Sequence, residues 1–233
     1  MDPQNTAPGP AATPLHVPMQ RRKFLLYSGV AAAAIIFGQA CKKDDDPVTP
    51  AANAVNLGSG DTGVLNYAYA LEQLEAAFYT QVMATPFSGM TALESEYLRD
   101  IRDHEIAHRD FFKAALGSNA IQNLEVNFTS INFGSRDSVL STAKAFEDLG
   151  VSAYNGAGKL LTSADFLTLA GKIVSVEARH AALIRDLISN GTFANSEVID
   201  ANGLDKSRTP AEVLAIAGAY VRTPLNANNL PTN

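Results

Sequence analysis

From Asp61 onward the apolar residues recur at three- and four-residue intervals, a pattern that predicts four successive helices. The first is expected from Asp61, read as its N-cap, to Met83, ahead of Pro86. The second opens on Thr91-Ala92-Leu93-Glu94, a capping-box pattern, and stops at Gly117. The third spans Arg136 to Leu161, with Gly150, Gly156 and Gly158 as weak points, and the fourth follows Thr162-Ser163 and ends at Asn190-Gly191. The first–second and third–fourth connections are short, so each pair should form an antiparallel hairpin. Between the hairpins lies Ser118 to Ser135, about 18 residues of loose alternation. Extended, that segment reaches about 60 Å, against about 39 Å for a helix of about 26 residues. The expected fold is all-α: an antiparallel four-helix bundle over residues 61–190 with one long crossover between the second and third helices. Residues 191–233 form a polar, Asn-rich extension with a short helix near Pro210 to Tyr220, to which no chemistry is assigned.

Each helix carries an apolar stripe that turns polar near its middle. The second reads Leu98, Ile101, Glu105, His108, Phe112, Ala115; the fourth reads Phe166, Ala170, Ile173, Glu177, His180, Ile184, Leu187. The third gives Leu140, Ala143, Glu147, Gly150, Tyr154, Ala157, Leu161, and the first gives Leu65, Ala68, Glu72, Glu75, Tyr79, Val82. Two of these interruptions are Glu-x-x-His motifs, whose carboxylate and imidazole share a helix face. One such stripe could simply rotate its polar residues into solvent. Four aligned stripes would bury carboxylates at a cost of several kcal/mol each, which calls for compensation. Two hard or borderline dications supply it, with carboxylate oxygen and imidazole nitrogen as ligands. The spacings repeat as well, since Glu72 precedes Tyr79 as Glu147 precedes Tyr154 and each Glu is followed by a Glu-x-x-His. The bundle therefore reads as two copies of one hairpin.

Composition narrows the chemistry. The 233 residues are 46% hydrophobic with net charge -6, which argues against a nucleic-acid partner. A single cysteine excludes a disulfide framework, a thiolate-rich zinc site and a rubredoxin-type centre. Residues 1–40 read as an export signal, with Arg21-Arg22-Lys23 ahead of an apolar run from Phe24 to Ala40; the alternative is a permanent anchor helix. Arg21 and Arg22 resemble a twin-arginine signal, and Gly38-Gln39-Ala40-Cys41 resembles a relaxed lipobox that would make Cys41 the lipidated N-terminus. Residues 41–60 are then the attachment cysteine and a flexible linker. The expected location is outside the bacterial cytoplasm, lipid-anchored in the periplasm or at the outer membrane or cell surface.

Residues 61–190 resemble the ferritin-like superfamily, which includes ferritins, bacterioferritins and rubrerythrins. More narrowly, Leu71-Glu72-Gln73-Leu74-Glu75-Ala76-Ala77-Phe78-Tyr79 resembles the exported ferritin-like family related to desiccation-associated proteins. The resemblance implies a non-haem site of two Fe ions, or alternatively two Mn. Glu72 and Glu147 would be terminal carboxylates, Glu105 and Glu177 would bridge, and His108 and His180 would each bind one metal. Glu75 is either a seventh, mobile ligand or an acid at the edge of the site. Tyr79 and Tyr154 either donate hydrogen bonds to ligand carboxylates or only pack. No catalytic residue is expected beyond the ligands, and His104, about 100° around the helix from Glu105, is expected at the surface. The implied activity is Fe(II) oxidation or removal of peroxide or oxygen species, with a dimanganese catalase-like reaction as a variant. The alternative is a non-catalytic binding or envelope stress-protection module with structural metal or none. Expected partners are dioxygen or peroxide, the membrane through the lipid anchor, and at most a second copy in a homodimer. The anchor and linker argue against a closed storage cage.

Overall fold

The computed structural model describes residues 53–232. The expected signal, with Arg21 and Arg22, and the lipid-attachment residue Cys41 lie outside the described residues. A two-residue strand β1 (Val55–Asn56) leads into four long helices, α1 (Gly60–Ala84), α2 (Ala92–Leu116), α3 (Arg136–Ala157) and α4 (Ala164–Ile188). A short helix α5 (Pro210–Ala217) and a strand β2 (Leu225–Asn226) close the chain. Among the described residues no helix is long and apolar enough to cross a membrane.

Local chemistry sets most of the helix ends. Thr91 and Glu94 form the reciprocal capping box of α2, and Thr209 with Glu212 does the same for α5. Ser135 and Ser163 accept from the backbone N–H groups of Ser138 and Phe166 at the starts of α3 and α4. Asp61 corrects the expectation for α1: the N-cap is Ser59, and Asp61 lies in the first turn. Its carboxylate reaches across to accept from the backbone N–H groups of Thr162 and Ser163 at 2.7 and 2.9 Å, so it caps the α3–α4 turn instead. The third helix is also shorter than expected, giving way at Gly158 to a single 3-10 turn, Gly158–Leu160. On α2, Ala115 is exposed and Leu116 takes the core position, so the expected stripe shifts by one residue at its end.

α1 packs on α2 and α3 on α4, as the two hairpins require, and α1 meets α3 between them. The crossover returns along the outer face of α1. The Asn66 side chain donates to the carbonyls of Leu57 and Asn119 and accepts from the Ile121 N–H. Two turns on, Gln73 accepts from the Leu124 N–H at 2.8 Å. Beyond that, Phe128 and Phe133 of the crossover pack on Phe78, with ring centroids about 6 Å apart. The crossover thus runs the length of α1, and α3 starts at the far end and runs antiparallel to it.

The C-terminal extension adds a second cover. β2 pairs in parallel with β1, Val55 opposite Leu225, and the Tyr220 carbonyl accepts from the Asn127 N–H of the crossover. Arg185 of α4, only 3% exposed, forms a two-pronged ion pair with Asp148 and also reaches Asn195 and Glu197 of the extension. Arg208 lies so close to α3 that a Cβ at position 156 would stand 1.7 Å from its carbonyl oxygen, so only glycine fits there. The expected linker is corrected at its end, because residues 55–57 belong to the fold and Leu57 is fully buried. With these layers in place α1 is buried on nearly every side, which is why it carries only three charged residues, Asp61, Glu72 and Glu75.

Asn66→Ala removes three hydrogen bonds and orphans buried backbone groups, so it should cost about 2–4 kcal/mol in urea denaturation. A loss below about 0.5 kcal/mol would show that the crossover is held by apolar packing alone.

Candidate metal centre

At mid-height the four helices point Glu72 (α1), Glu105 and His108 (α2), Glu147 (α3), and Glu177 and His180 (α4) into one volume. The carboxyl groups of Glu72, Glu105, Glu147 and Glu177 are fully buried, and His180 is 4% exposed. One ligand atom each from Glu72, Glu105, His108 and Glu177 lie within 4.8 Å of one another, as do one each from Glu105, Glu147, Glu177 and His180. The two groups share Glu105 and Glu177. The six residues that the resemblance implies as ligands are therefore brought together.

The imidazoles turn Nδ1 toward the carboxylates. His108 Nδ1 lies 2.8 Å from Glu177 Oε1 and 3.5 Å from Glu72 Oε2; His180 Nδ1 lies 2.8 Å from Glu105 Oε1 and 3.4 Å from Glu177 Oε2. These approaches are close but off the direction of a hydrogen bond. Glu72 Oε2, Glu147 Oε2, both oxygens of Glu105 and of Glu177, and both Nδ1 atoms remain buried without a hydrogen-bond partner. The remaining oxygen of each outer carboxylate is occupied. Tyr79 of α1 donates to Glu147 Oε1 of α3 at 2.5 Å, and Tyr154 of α3 donates to Glu72 Oε1 of α1. The exchange is reciprocal and reflects the internal repeat.

Eight orphaned ligand atoms converging in a buried interior fit a metal centre. The donors are carboxylate oxygen and imidazole nitrogen, the set that hard and borderline dications take. Four ionised carboxylates also carry the charge that two dications would cancel.

Without metal, protons must do that work. Burial, reinforced by the charges of Glu177 and Glu105, raises Glu72 well above the carboxylate range. Burial likewise lifts Glu75, helped by the Glu105 and Glu177 charges, and takes Glu147 up to about 8 against the pull of His180. Burial also acts on Glu105, but its contacts with His108 and His180 outweigh that and hold it at about 2. For the two histidines burial works downward, yet the surrounding carboxylates raise both to about 12.

Glu75 lies outside both groups of ligand atoms. It is buried, with Oε1 only 3.1 Å from where a Cβ at position 150 would stand. Position 150 is its counterpart in the second hairpin, and glycine there leaves room for the extra acid. His104 is exposed, as its place on the helix predicts, but its ring does not point away. His104 Nδ1 sits 2.9 Å from His180 Nε2, and the two ring planes lie within 7° of each other. Helical periodicity gave no sign of this, because the contact is made across to α4.

The model of the ferritin-like domain matches residues 60–190, more than half of the chain. The chain belongs to the ferritin-like domain family. No curated protein matches it. Its ferritin-like bundle and its buried Glu/His cluster support a metal-binding protein.

Metal can bind this ferritin-like site only as neutral imidazoles and ionised carboxylates. Binding should therefore release protons, and affinity should rise with pH. Titration calorimetry in two buffers of different ionisation enthalpy should give heats that differ by the proton count. Identical heats would contradict the protonation assigned to the metal-free site.

Proposed function

We propose that this is an exported ferritin-like protein with a dinuclear non-haem site that oxidises Fe(II) or removes peroxide or oxygen species. The observation that carries the reading is the set of eight buried donor atoms without partners, drawn from all four helices. In this reading Glu105 and Glu177, common to both groups, would be shared by two ions, with Glu72 and His108 helping to hold one and Glu147 and His180 the other. Tyr154 and Tyr79 hold Oε1 of Glu72 and Glu147, leaving each Oε2 free and fixing the outer carboxylates before any ion arrives. Burial and the adjacent carboxylates raise both tyrosines well above their ordinary range, so they remain donors throughout. Two iron ions, or manganese as the alternative, would supply a two-electron couple for dioxygen or peroxide. The chain itself provides the dry cavity and the fixed ligand geometry. Residues 1–40 as a twin-arginine signal and Cys41 as a lipid anchor, read from sequence, would place this chemistry outside the cytoplasm and allow the metal to be loaded before export.

Anaerobic reconstitution of the purified protein with Fe(II) or Mn(II), followed by elemental analysis, tests the site. About two metals per chain are expected, with both lost in Glu105→Ala/Glu177→Ala. At metal concentrations about 100 times Kd the bound form should gain about 2.7 kcal/mol of stability. Bound metal with no oxidation on adding peroxide or dioxygen would favour the non-catalytic stress-protection module. No metal, with the same melting temperature in both proteins, would leave a metal-free bundle.

A further inference from the structure

The two hairpins repeat their ligands but not what surrounds them. Between α2 and α4 the offset is constant: Glu105 corresponds to Glu177 and His108 to His180, so the counterpart of His104 is Val176. An aliphatic residue at that position has no acceptor to offer the other ligand imidazole. His180 has one, 2.9 Å from its Nε2, on a ring whose plane lies within 7° of its own at a centroid distance of 5.2 Å. The direction of this hydrogen bond follows from His180. Its Nδ1 faces Glu105 and Glu177, so as a metal ligand it must leave that nitrogen bare and carry its proton on Nε2. His104 Nδ1 is then the acceptor, and its own proton sits on Nε2. The same direction holds if His180 carries both protons, so the contact serves the site empty or filled.

We infer that His104 is a positioning residue that fixes the ring and tautomer of His180 and thereby makes the two metal sites unequal, the Glu147–His180 site binding its ion more tightly than the same ligand set would without it. The inference rests on the dinuclear reading above. A ligand imidazole whose second nitrogen is held loses less freedom on binding and is the stronger base, and loss of such a partner costs about 10- to 100-fold in affinity. Because His104 is exposed, its replacement leaves the core intact.

The test is anaerobic titration of the full chain with Co(II), followed by visible absorption, for the wild type, His104→Ala and His104→Asn. Asn places an acceptor oxygen where His104 has Nδ1. The wild type should take up two ions, with His104→Ala weakening one of them about 10- to 100-fold and sparing the other, and His104→Asn recovering most of the loss. In the Co(II) form, proton NMR should show one shifted imidazole N–H that exchanges slowly in the wild type and rapidly in His104→Ala. The metal-free melting temperature should be unchanged, separating positioning from folding. Two ions bound with unaltered affinities and an unaltered N–H in His104→Ala would overturn the inference alone. A wild type that takes up no Co(II) would overturn the dinuclear reading and this inference with it.

Discussion

Everything in this bundle is arranged around one electrostatic problem, four carboxylates and two imidazoles buried together with most of their donor atoms unpartnered. In an apolar four-helix core each would cost several kcal/mol if left charged and alone. The metal-free chain answers with protons: Glu72 and Glu147 are pushed up and both histidines are held protonated by their acidic neighbours. That solution is local and leaves eight atoms without hydrogen bonds. Dications remove the deficit at once, which makes metal binding and stability of the interior two views of one energy.

The rest of the fold keeps that interior dry and its walls in place. α1 and α3 supply the outer carboxylates and are tied to each other by the reciprocal tyrosine bonds at Glu72 and Glu147. Their backs are covered in turn, α1 by the crossover zipped on through Asn66 and Gln73, and α3 by the extension that Arg185 and Gly156 bring close. Of the other two helices, α2 and α4, the second also meets the extension, through Arg185. These two helices carry the histidines, the cluster members nearest solvent: the His108 side chain is 13% exposed while the four carboxylates are at 0%.

The bundle and its buried Glu/His cluster were legible because both are written as periodicity. A charge interrupting an apolar stripe at the same height on four helices is a signal that survives small errors in helix ends, such as the early stop of α3 at Ala157 or the exposed Ala115. What escaped the sequence are contacts between elements far apart in the chain. Asp61 looks like a local cap and instead serves a turn about a hundred residues away. The segment 55–60 has the composition of a linker, and its pairing with residues 225–226 depends on where the extension ends up. The near-complete burial of α1 was visible in its scarcity of charge, but the layer responsible for it could not be named from the helix alone.

The repeat itself sharpens what this site can be. Two hairpins with identical ligands and identical surroundings would give two equivalent ions. This chain repeats its Glu, its Glu-x-x-His and its tyrosine and differs beside them, with Glu75 against Gly150 and His104 against Val176. Both departures act on the environment of a ligand rather than on a ligand. Glu75 adds a buried acid that burial raises well above the carboxylate range. His104 carries a hydrogen-bonded path from the Glu147–His180 side to the surface. A buried acid and an imidazole contact are thus placed asymmetrically around a symmetric Glu/His set, so in the dinuclear reading proposed above the two ions would not be equivalent.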